Sequence, residues 1–422
     1  MIPVAAGLAA VLAGAGVAQA LVAARFVASF ASKPVEHPAE RPPVTVLKPL
    51  HGDEPLLEAG LESLCLQDYP EWQIVFGVQS EADPAVAVVR RLQARFPKVD
   101  IALVVDPALH GVNRKVGNLI NMFPAARHNV LVIADSDVHV RPDYLDRLVA
   151  ALEPADVGLV TTLYAGLPVA LTSSSVHNTA AGRPALPSRL GATQITHGFL
   201  PGAVLARTIG RQDCLGATMC LRRRDLERIG GFSALADHLA DDNVLGRRIA
   251  GLGMRVALAQ TVPLTTVPEA TLKALFRHEL RWARTIRALE PAGFAASVLQ
   301  YPLFWGLLAM LLAGGALWSV GLFLIAWVLR AVAAMGVDAA LLPLWSQERG
   351  SPASVANDHA ALAFSCPVWL LPLRDIFSVA VMLVSYGGRR VDWRGHGLHA
   401  DTPPPFTRQT NSLRPIKGNK TR

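Results

Sequence analysis

Cysteine is scarce: Cys65, Cys214, Cys220 and Cys366 are the only four in 422 residues, and no two are spaced as CxxC. That excludes a recognisable zinc site and a disulfide framework, so the four read as small core residues in a reducing compartment. Internal repeats are absent, which excludes a repeat architecture. Charge is thin as well. Charged residues make up 17% of the chain against 51% hydrophobic, and the mean hydropathy of +0.33 is too high for an ordinary soluble enzyme.

In place of charge there are long apolar runs. Residues 2–24 hold 23 positions without a formal charge, enough to cross a hydrocarbon core of about 30 Å. Ala18-Gln19-Ala20 resembles a signal cleavage site, but no basic residue precedes the run, and it is long for a signal core. A retained transmembrane helix over residues 1–25 is expected. Between Glu290 and Arg330 lie 39 uncharged residues, room for two spans of about 20 residues each joined near Gly314-Gly315. A third candidate, 359–386, is interrupted by Arg374 and Asp375, with Pro367 and Pro372 nearby. A charge pair at membrane depth is costly and marks a functional or packing site, or a re-entrant segment. The C-terminal transmembrane region is therefore placed at 291–386.

A basic tail follows, expected to be disordered over 387–422. From position 389 on it carries eight Lys/Arg against two Asp, six of the chain's net seven positive charges. Such a tail is either simply solvated or drawn to anionic headgroups. Arg25, Lys33, Arg41 and Lys48 after the first run place the following domain in the cytoplasm by the positive-inside rule. Four full spans after an outside N-terminus would put the basic tail outside, so span count and charge rule oppose each other.

Residues 42–290 are of mixed polarity and long enough for one large domain. Strands are expected at 43–50, 72–80, 99–106 and over VLVIADSDV from Val130, with helices over 54–67, 85–96 and from about Lys115. Strands alternating with helices argue for βαβ units and a mainly parallel sheet, whose ligands bind beyond the carboxyl ends of the strands. Residues 166–190, rich in Ser, Thr, Pro, Gly and Ala, are expected to be a loop over the site. GFLPGAVLARTIG at 198–210 is apolar enough to lie on the membrane surface.

The run VLVIADSDVHV (130–140) ends a buried strand on Asp135 and Asp137. Two carboxylates one residue apart repel unless a cation lies between them. A hard divalent ion completed by substrate phosphates suits that arrangement. Asp83 follows another strand end. Lys115 sits at a probable helix start beside Asn113 and Gly117, where phosphate is readily bound. Asp241 and Asp242 stand together at a helix entry, and crowded like charges raise a carboxylate's pKa toward that of a general base. In HELRWARTIR (278–287), Arg281 and Trp282 share a helical face with His278. Each has a plainer reading: a solvated lysine, acids complementing a helix dipole, an interfacial Trp/Arg belt.

The order of these motifs is more specific than any one of them. KPL (48–50), SEADPA (80–85), DSD (135–137), GATMCLRRRDLERIGGF (216–232), LADD (239–242) and HELRW (278–282) precede apolar spans. The series resembles the ceramide glucosyltransferase family, a membrane-bound branch of the GT-A glycosyltransferases. It looks closest to bacterial enzymes that glycosylate hopanoid polyols. The family pattern is D, D, D, (Q/R)xxRW, and the resemblance covers roughly residues 40–300 and the flanking spans.

By that resemblance the fold is α/β: a GT-A (Rossmann-like), mostly parallel sheet with N- and C-terminal transmembrane helices. Asp83 contacts the nucleotide, with Lys48 and Lys115 beside the nucleotide sugar. Asp135 contacts the donor and, with Asp137, holds Mg²⁺ or Mn²⁺. Asp242 is the catalytic base of an inverting reaction. Asp241, His278, Arg281 and Trp282 face acceptor and pyrophosphate. His278 departs from the family's Gln or Arg. The implied partners are a UDP-sugar, a membrane lipid and the bilayer, with no nucleic acid; the implied location is the cytoplasmic face of the bacterial inner membrane. The donor is UDP-N-acetylglucosamine or UDP-glucose, and the acceptor a hopanoid polyol or ceramide. A processive polysaccharide synthase shares these motifs but keeps QxxRW and has more spans. A non-catalytic scaffold is disfavoured by intact acids at all four positions, and a transporter by the few charges near membrane depth.

Overall fold

The structure is a computed structural model, and it describes residues 2–170, 183–346, 354–388, 390–393 and 396–399. The chain begins with α1 (Ile2–Ala31), then β1 (Val44–Pro49), α2 (Leu57–Cys65), β2 (Trp72–Val78), α3 (Pro84–Arg95), β3 (Asp100–Val105) and α4 (Arg114–Met122). There follow β4 (Val130–Ala134), β5 (Val138–His139), α5 (Tyr144–Leu152), β6 (Val157–Thr161), β7 (Ala165–Pro168), α6 (Leu186–Gln194) and α7 (Leu200–Thr208). Next come β8 (Thr218–Arg222), α8 (Arg223–Arg228), α9 (Asp241–Gly251), β9 (Arg255–Leu258), β10 (Leu264–Val267) and α10 (Leu272–Leu289). The last elements are α11 (Pro291–Ala296), α12 (Pro302–Leu312), α13 (Leu317–Ser346), α14 (Ser354–Ala363), α15 (Leu371–Ser385), β11 (Arg390–Trp393) and β12 (His396–His399).

Seven strands form one sheet in the order β3-β2-β1-β4-β8-β6-β9, antiparallel only where β8 pairs with β4 and β6. Side chains of a strand alternate between faces, and here both faces are covered. Val44, Val46, Ile74, Phe76 and Val132 pack with Leu61, Val89 and Leu148 on one side. Leu47, Val75, Leu131 and Ile133 pack with Val116, Leu119 and Phe232 on the other. Burial on both faces explains the near-continuous apolar runs. A smaller sheet, β5-β10-β7, branches off directly after the Asp135/Asp137 turn.

Among the described residues three helical segments are long and apolar enough to cross a membrane: Ile2–Ala31, Leu317–Trp345 and Asp358–Ser385. A fourth crossing would need Pro291–Gln300 and Pro302–Leu312 together, which bend by 66°. Two expectations change. The second span does not stop at Arg330 but runs on to Ser346, because Arg330 and Asp338 are buried against partners: Arg330 Nη2 donates to the His197 carbonyl at 2.7 Å, and Asp338 Oδ1 meets His197 Nε2 at 2.7 Å. Nor are Arg374 and Asp375 each other's partner. Arg374 makes a two-pronged pair with Glu279 of α10 at 2.7 and 2.8 Å, while Asp375 accepts the Leu303 N–H at the start of α12 at 2.9 Å. The turn at Gly314-Gly315 is as expected, both with positive φ (63° and 74°), which glycine adopts freely.

The 166–190 stretch is not all loop: β7 and α6 occupy its ends, while 171–182 lies outside the described residues. Residues 195–199 form a π-helical turn, and α7 lays Leu200 and Val204 in one apolar cluster with Val27 and Phe30 of α1. The tail expected to be disordered starts with a hairpin, β11 against β12; Val391 and Trp393 there are strand-favouring residues. From residue 400 on it lies outside the described residues.

Candidate active site

The site grows from the end of β4. β1 and β4 run parallel in register, so both end at the same edge of the sheet. The chain leaves β4 through Asp135, Ser136 and Asp137, and β5 then pairs with β10. This pairing sets Thr265 Oγ1 to donate to Asp137 Oδ2 at 2.7 Å, while Ser136 Oγ donates to Glu54 Oε2 at 2.6 Å. Lys115, on the first turn of α4, reaches Asp135 Oδ1 at 2.7 Å and Asp241 Oδ2 at 3.5 Å. Asn113 caps α4 by accepting the Val116 N–H, and its Nδ2 donates to Asp241 and to the His238 carbonyl. The cap thereby ties the start of α4 to the start of α9. Lys48, fully buried in β1, donates to the Val138 carbonyl at 3.0 Å.

Five carboxylates, Glu54, Asp135, Asp137, Asp241 and Asp242, couple here to two ammonium groups, Lys48 and Lys115. The imbalance shows in their protonation. Burial, then the neighbouring Asp241, pushes Asp242 up to about 7 against the pull of Lys115. Burial, then Asp135 and Glu54, pushes Asp137 up to about 6. Burial pulls Lys48 down to about 8 although Asp137 and Asp135 oppose it. For Lys115 burial is outweighed by Asp135 and Asp241, and its ammonium is held above the ordinary lysine range. Gly216 leaves room for Asp242: a Cβ there would lie 2.9 Å from Asp242 Oδ2.

The structure thus brings together Lys48, Lys115, Asp135, Asp137, Asp241 and Asp242. Lys115 is a half-buried ion-pair partner, not a solvated loop lysine. Asp83 stands at the end of β2, with β1 between it and β4. It caps α3 through the Ala85 N–H at 2.9 Å, and both its oxygens accept the Gly52 N–H at 3.0 Å, fixing the loop after β1. His278, Arg281 and Trp282 lie on α10. His278 Nδ1 is bound by the buried Glu269, and its ring meets Trp282 edge-on at 4.4 Å. Trp282 packs with Tyr164 and Phe199 around Ala192, Ile195 and Val267.

Tyr164 is the bridge that sequence reasoning missed. Burial, then the charges of Asp242, Asp135 and Asp137, holds its phenol above the ordinary range, and it packs in the same cluster as Trp282. Its signal was positional: it lies just beyond the carboxyl end of β6. Glu54, Ser136, Thr265 and Glu269 were also missed; Ser136 lies inside the DSD motif, and no motif marks the other three.

Among the described residues no three His, Cys, Asp or Glu side chains stand together as a metal cage. What the strand end offers is two hard carboxylates, Asp135 and Asp137. That donor set fits a Mg²⁺ or Mn²⁺ ion which takes its remaining ligands from phosphate and water.

A largely parallel sheet with carboxylates at its carboxyl edge, attached to apolar helices, defines a GT-A glycosyltransferase fold. A solved mannosyltransferase, PcManGT from Pyrobaculum calidifontis in complex with GDP-Man and Mn²⁺, is similar over 92% of this chain and 99% of its own, with a TM-score of 0.51 and 21% identity. That likeness is one of fold. The family model for Glycosyl transferase family 21 matches residues 8–404, and the chain belongs to that family. Ceramide glucosyltransferase 1 of Caenorhabditis elegans is 25% identical over 267 residues, 63% of this chain and 54% of the relative. The ceramide glucosyltransferase of Komagataella phaffii is 37% identical over 113 residues, 26% of this chain and 22% of its own. The chain spans about half the length of the Caenorhabditis relatives it matches.

Proposed function

We propose that the chain is a membrane-bound, inverting glycosyltransferase that moves a sugar from a UDP-sugar to the hydroxyl of a membrane lipid. The observation that carries this reading is Asp242: a half-buried carboxyl pushed up to about 7 at the start of α9, next to Asp241, which Lys115 joins to Asp135. A base of that strength is half-ionised near neutral pH and suited to a hydroxyl proton. Asp242 takes that proton as the lipid oxygen bonds to the anomeric carbon. The bond from that carbon to the diphosphate breaks on the opposite face, and UDP leaves. Lys115 and Arg281 offset charge on the leaving diphosphate, Asp83 holds the nucleotide end, and Lys48, fully buried behind the acids, acts on the site through its charge. A Mg²⁺ or Mn²⁺ held by Asp135 and Asp137 supplies further neutralisation of that diphosphate when bound.

The donor sugar is N-acetylglucosamine or glucose. The acceptor is a hopanoid polyol such as bacteriohopanetetrol, with ceramide second. The apolar helices suit this chemistry, since a soluble donor and a lipid acceptor meet only at a bilayer face. We place the catalytic domain on the cytoplasmic side of the bacterial inner membrane. Membranes carrying the chain, given labelled UDP-sugar, either lipid and Mg²⁺ or Mn²⁺, test this. Label in one lipid, lost with Asp242→Asn, supports the reading. Label confined to polymer, or retained in the variant, contradicts it.

A further inference from the structure

Behind the wall that carries Tyr164 and Trp282 lies a cavity of about 170 Å³. It is bounded by the end of β7 at Pro168, by Arg189 and Thr193 of α6, by His197 of the π-helical turn, and by Ser365 in the break between α14 and α15. Ala192 has contacts both ways: it lines this cavity and belongs to the cluster that packs Tyr164 and Trp282. Helix α6 therefore separates this cavity from the aromatic cluster of Tyr164 and Trp282.

His197 is the unusual member. Its side chain is 2% exposed, and its Nε2 lies 2.7 Å from Asp338 of α13. Asp338 in turn accepts the Cys366 N–H at 2.8 Å, and Arg330 donates to the His197 carbonyl. Yet His197 Nδ1 is buried without a hydrogen-bond partner. A buried ring nitrogen left without a partner is destabilising. Three fixed contacts hold it in that position, within a π-helical turn of the kind frequent at functional sites. With Nε2–H donating to the Asp338 carboxylate, Nδ1 carries a lone pair and calls for a donor: a hydroxyl or an amide N–H.

The cavity also borders the apolar segment Asp358–Ser385, through Leu362, Ala363, Ser365 and Pro367. Arg189 lies over Trp369 at 5.6 Å, and Trp369 is 57% exposed, an arrangement typical of the interfacial belt. Its distance from the acids follows from the small sheet. Thr265 on β10 binds Asp137, and β7, ending at Pro168, is the neighbour of β10. Strands lie about 4.8 Å apart, so crossing from β5 to β7 spans about 10 Å. A group bound at His197 is therefore not the accepting hydroxyl.

We propose that this cavity receives the part of the acceptor's polar head lying beyond the accepting hydroxyl, with His197 Nδ1 accepting a hydrogen bond from a second hydroxyl or an amide N–H. The inference rests on the lipid-acceptor reading above and sharpens it: the acceptor carries an extended polar head, not a single hydroxyl on a tail.

The test compares two lipids of identical tail, one with a linear tetrol head and one with a single hydroxyl. Equilibrium binding of each to the full chain in detergent micelles is measured beside the KM for lipid and for UDP-sugar. One satisfied buried hydrogen bond predicts about ten-fold tighter binding of the tetrol lipid. His197→Phe removes the acceptor. Ser365→Phe blocks the cavity from its exposed rim without touching the His197–Asp338 pair. Both variants should erase the preference and raise the KM for the tetrol lipid alone, leaving that for UDP-sugar unchanged. Equal binding of the two lipids by the wild-type chain, or a preference that survives both variants, overturns the proposal. A chain that discriminates between the lipids but transfers no sugar would contradict the transferase reading and leave the cavity's assignment standing.

Discussion

Buried charge occurs in two regions of this molecule, and they are built on opposite plans. Where the apolar helices meet α6 and α10, charges are matched. Arg374 forks onto Glu279, Asp375 receives the Leu303 N–H, and Asp338 receives His197 and the Cys366 N–H. At the carboxyl edge of the large sheet they are not: five carboxylates share Lys48 and Lys115, and Asp242 and Asp137 rise toward neutrality. Matched charge fixes the packing of helices. Mismatched charge stores a proton at the pH where it is useful, and it waits for cationic or phosphate-bearing company. The same residue types thus fix structure in one place and, on the proposed reading, serve chemistry in the other.

The comparison breaks most sharply at Asp242. Asp242→Asn should lower lipid glycosylation by 10²–10⁴-fold, the usual worth of a general base, while UDP binding persists; rates and nucleotide affinity measured together check this. In the matched region the corresponding change should strike stability. Arg374→Ala strands Glu279 as a buried charge and should cost about 3–5 kcal/mol, read as a lowered melting temperature in detergent. Replacing both Arg374 and Glu279 by Met should recover most of that loss.

Smaller effects sharpen the picture. The pH–rate profile should rise through about 7, where Asp242 ionises, and fall above about 8, where Lys48 loses its proton. Lys48→Arg should remove the falling limb. Asp242→Asn should also stabilise the fold, by about 0.5–2 kcal/mol. The sign follows from its raised pKa: the folded carboxyl holds its proton more tightly than the unfolded one, so stability falls as pH rises from about 4, where the unfolded carboxyl ionises, to about 7, where the folded one does. Unfolding at pH 8 and at pH 3 should show the gain at the higher pH only.

The sheet and the Asp135/Asp137 pair were legible in the sequence for one reason. A buried strand writes a continuous apolar run, and carboxylates that stop it stand at the sheet's edge. Asp241 and Asp242 were legible because two acids opening a helix are conspicuous. Tyr164 was not, since one aromatic after an apolar strand looks like core. The Glu269–His278 contact was hidden by tertiary distance, although His278 had been singled out. The His197–Asp338 pair spans 141 positions, and Arg374 was read as half of a local pair because its real partner, Glu279, lies 95 positions away. Local patterns reveal where charge is placed; only the fold reveals whether it is matched.

The most direct test of that distinction is the titration of Asp242 itself. Infrared difference spectra between the wild-type chain and Asp242→Asn, recorded from pH 4 to pH 9, isolate its protonated carboxyl band without any substrate. The account predicts a midpoint near 7, moving down when Asp241→Asn removes the crowding charge. A midpoint near 4, unmoved by Asp241→Asn, would mean that the acids at this edge are as well balanced as those among the helices, and the account would be wrong.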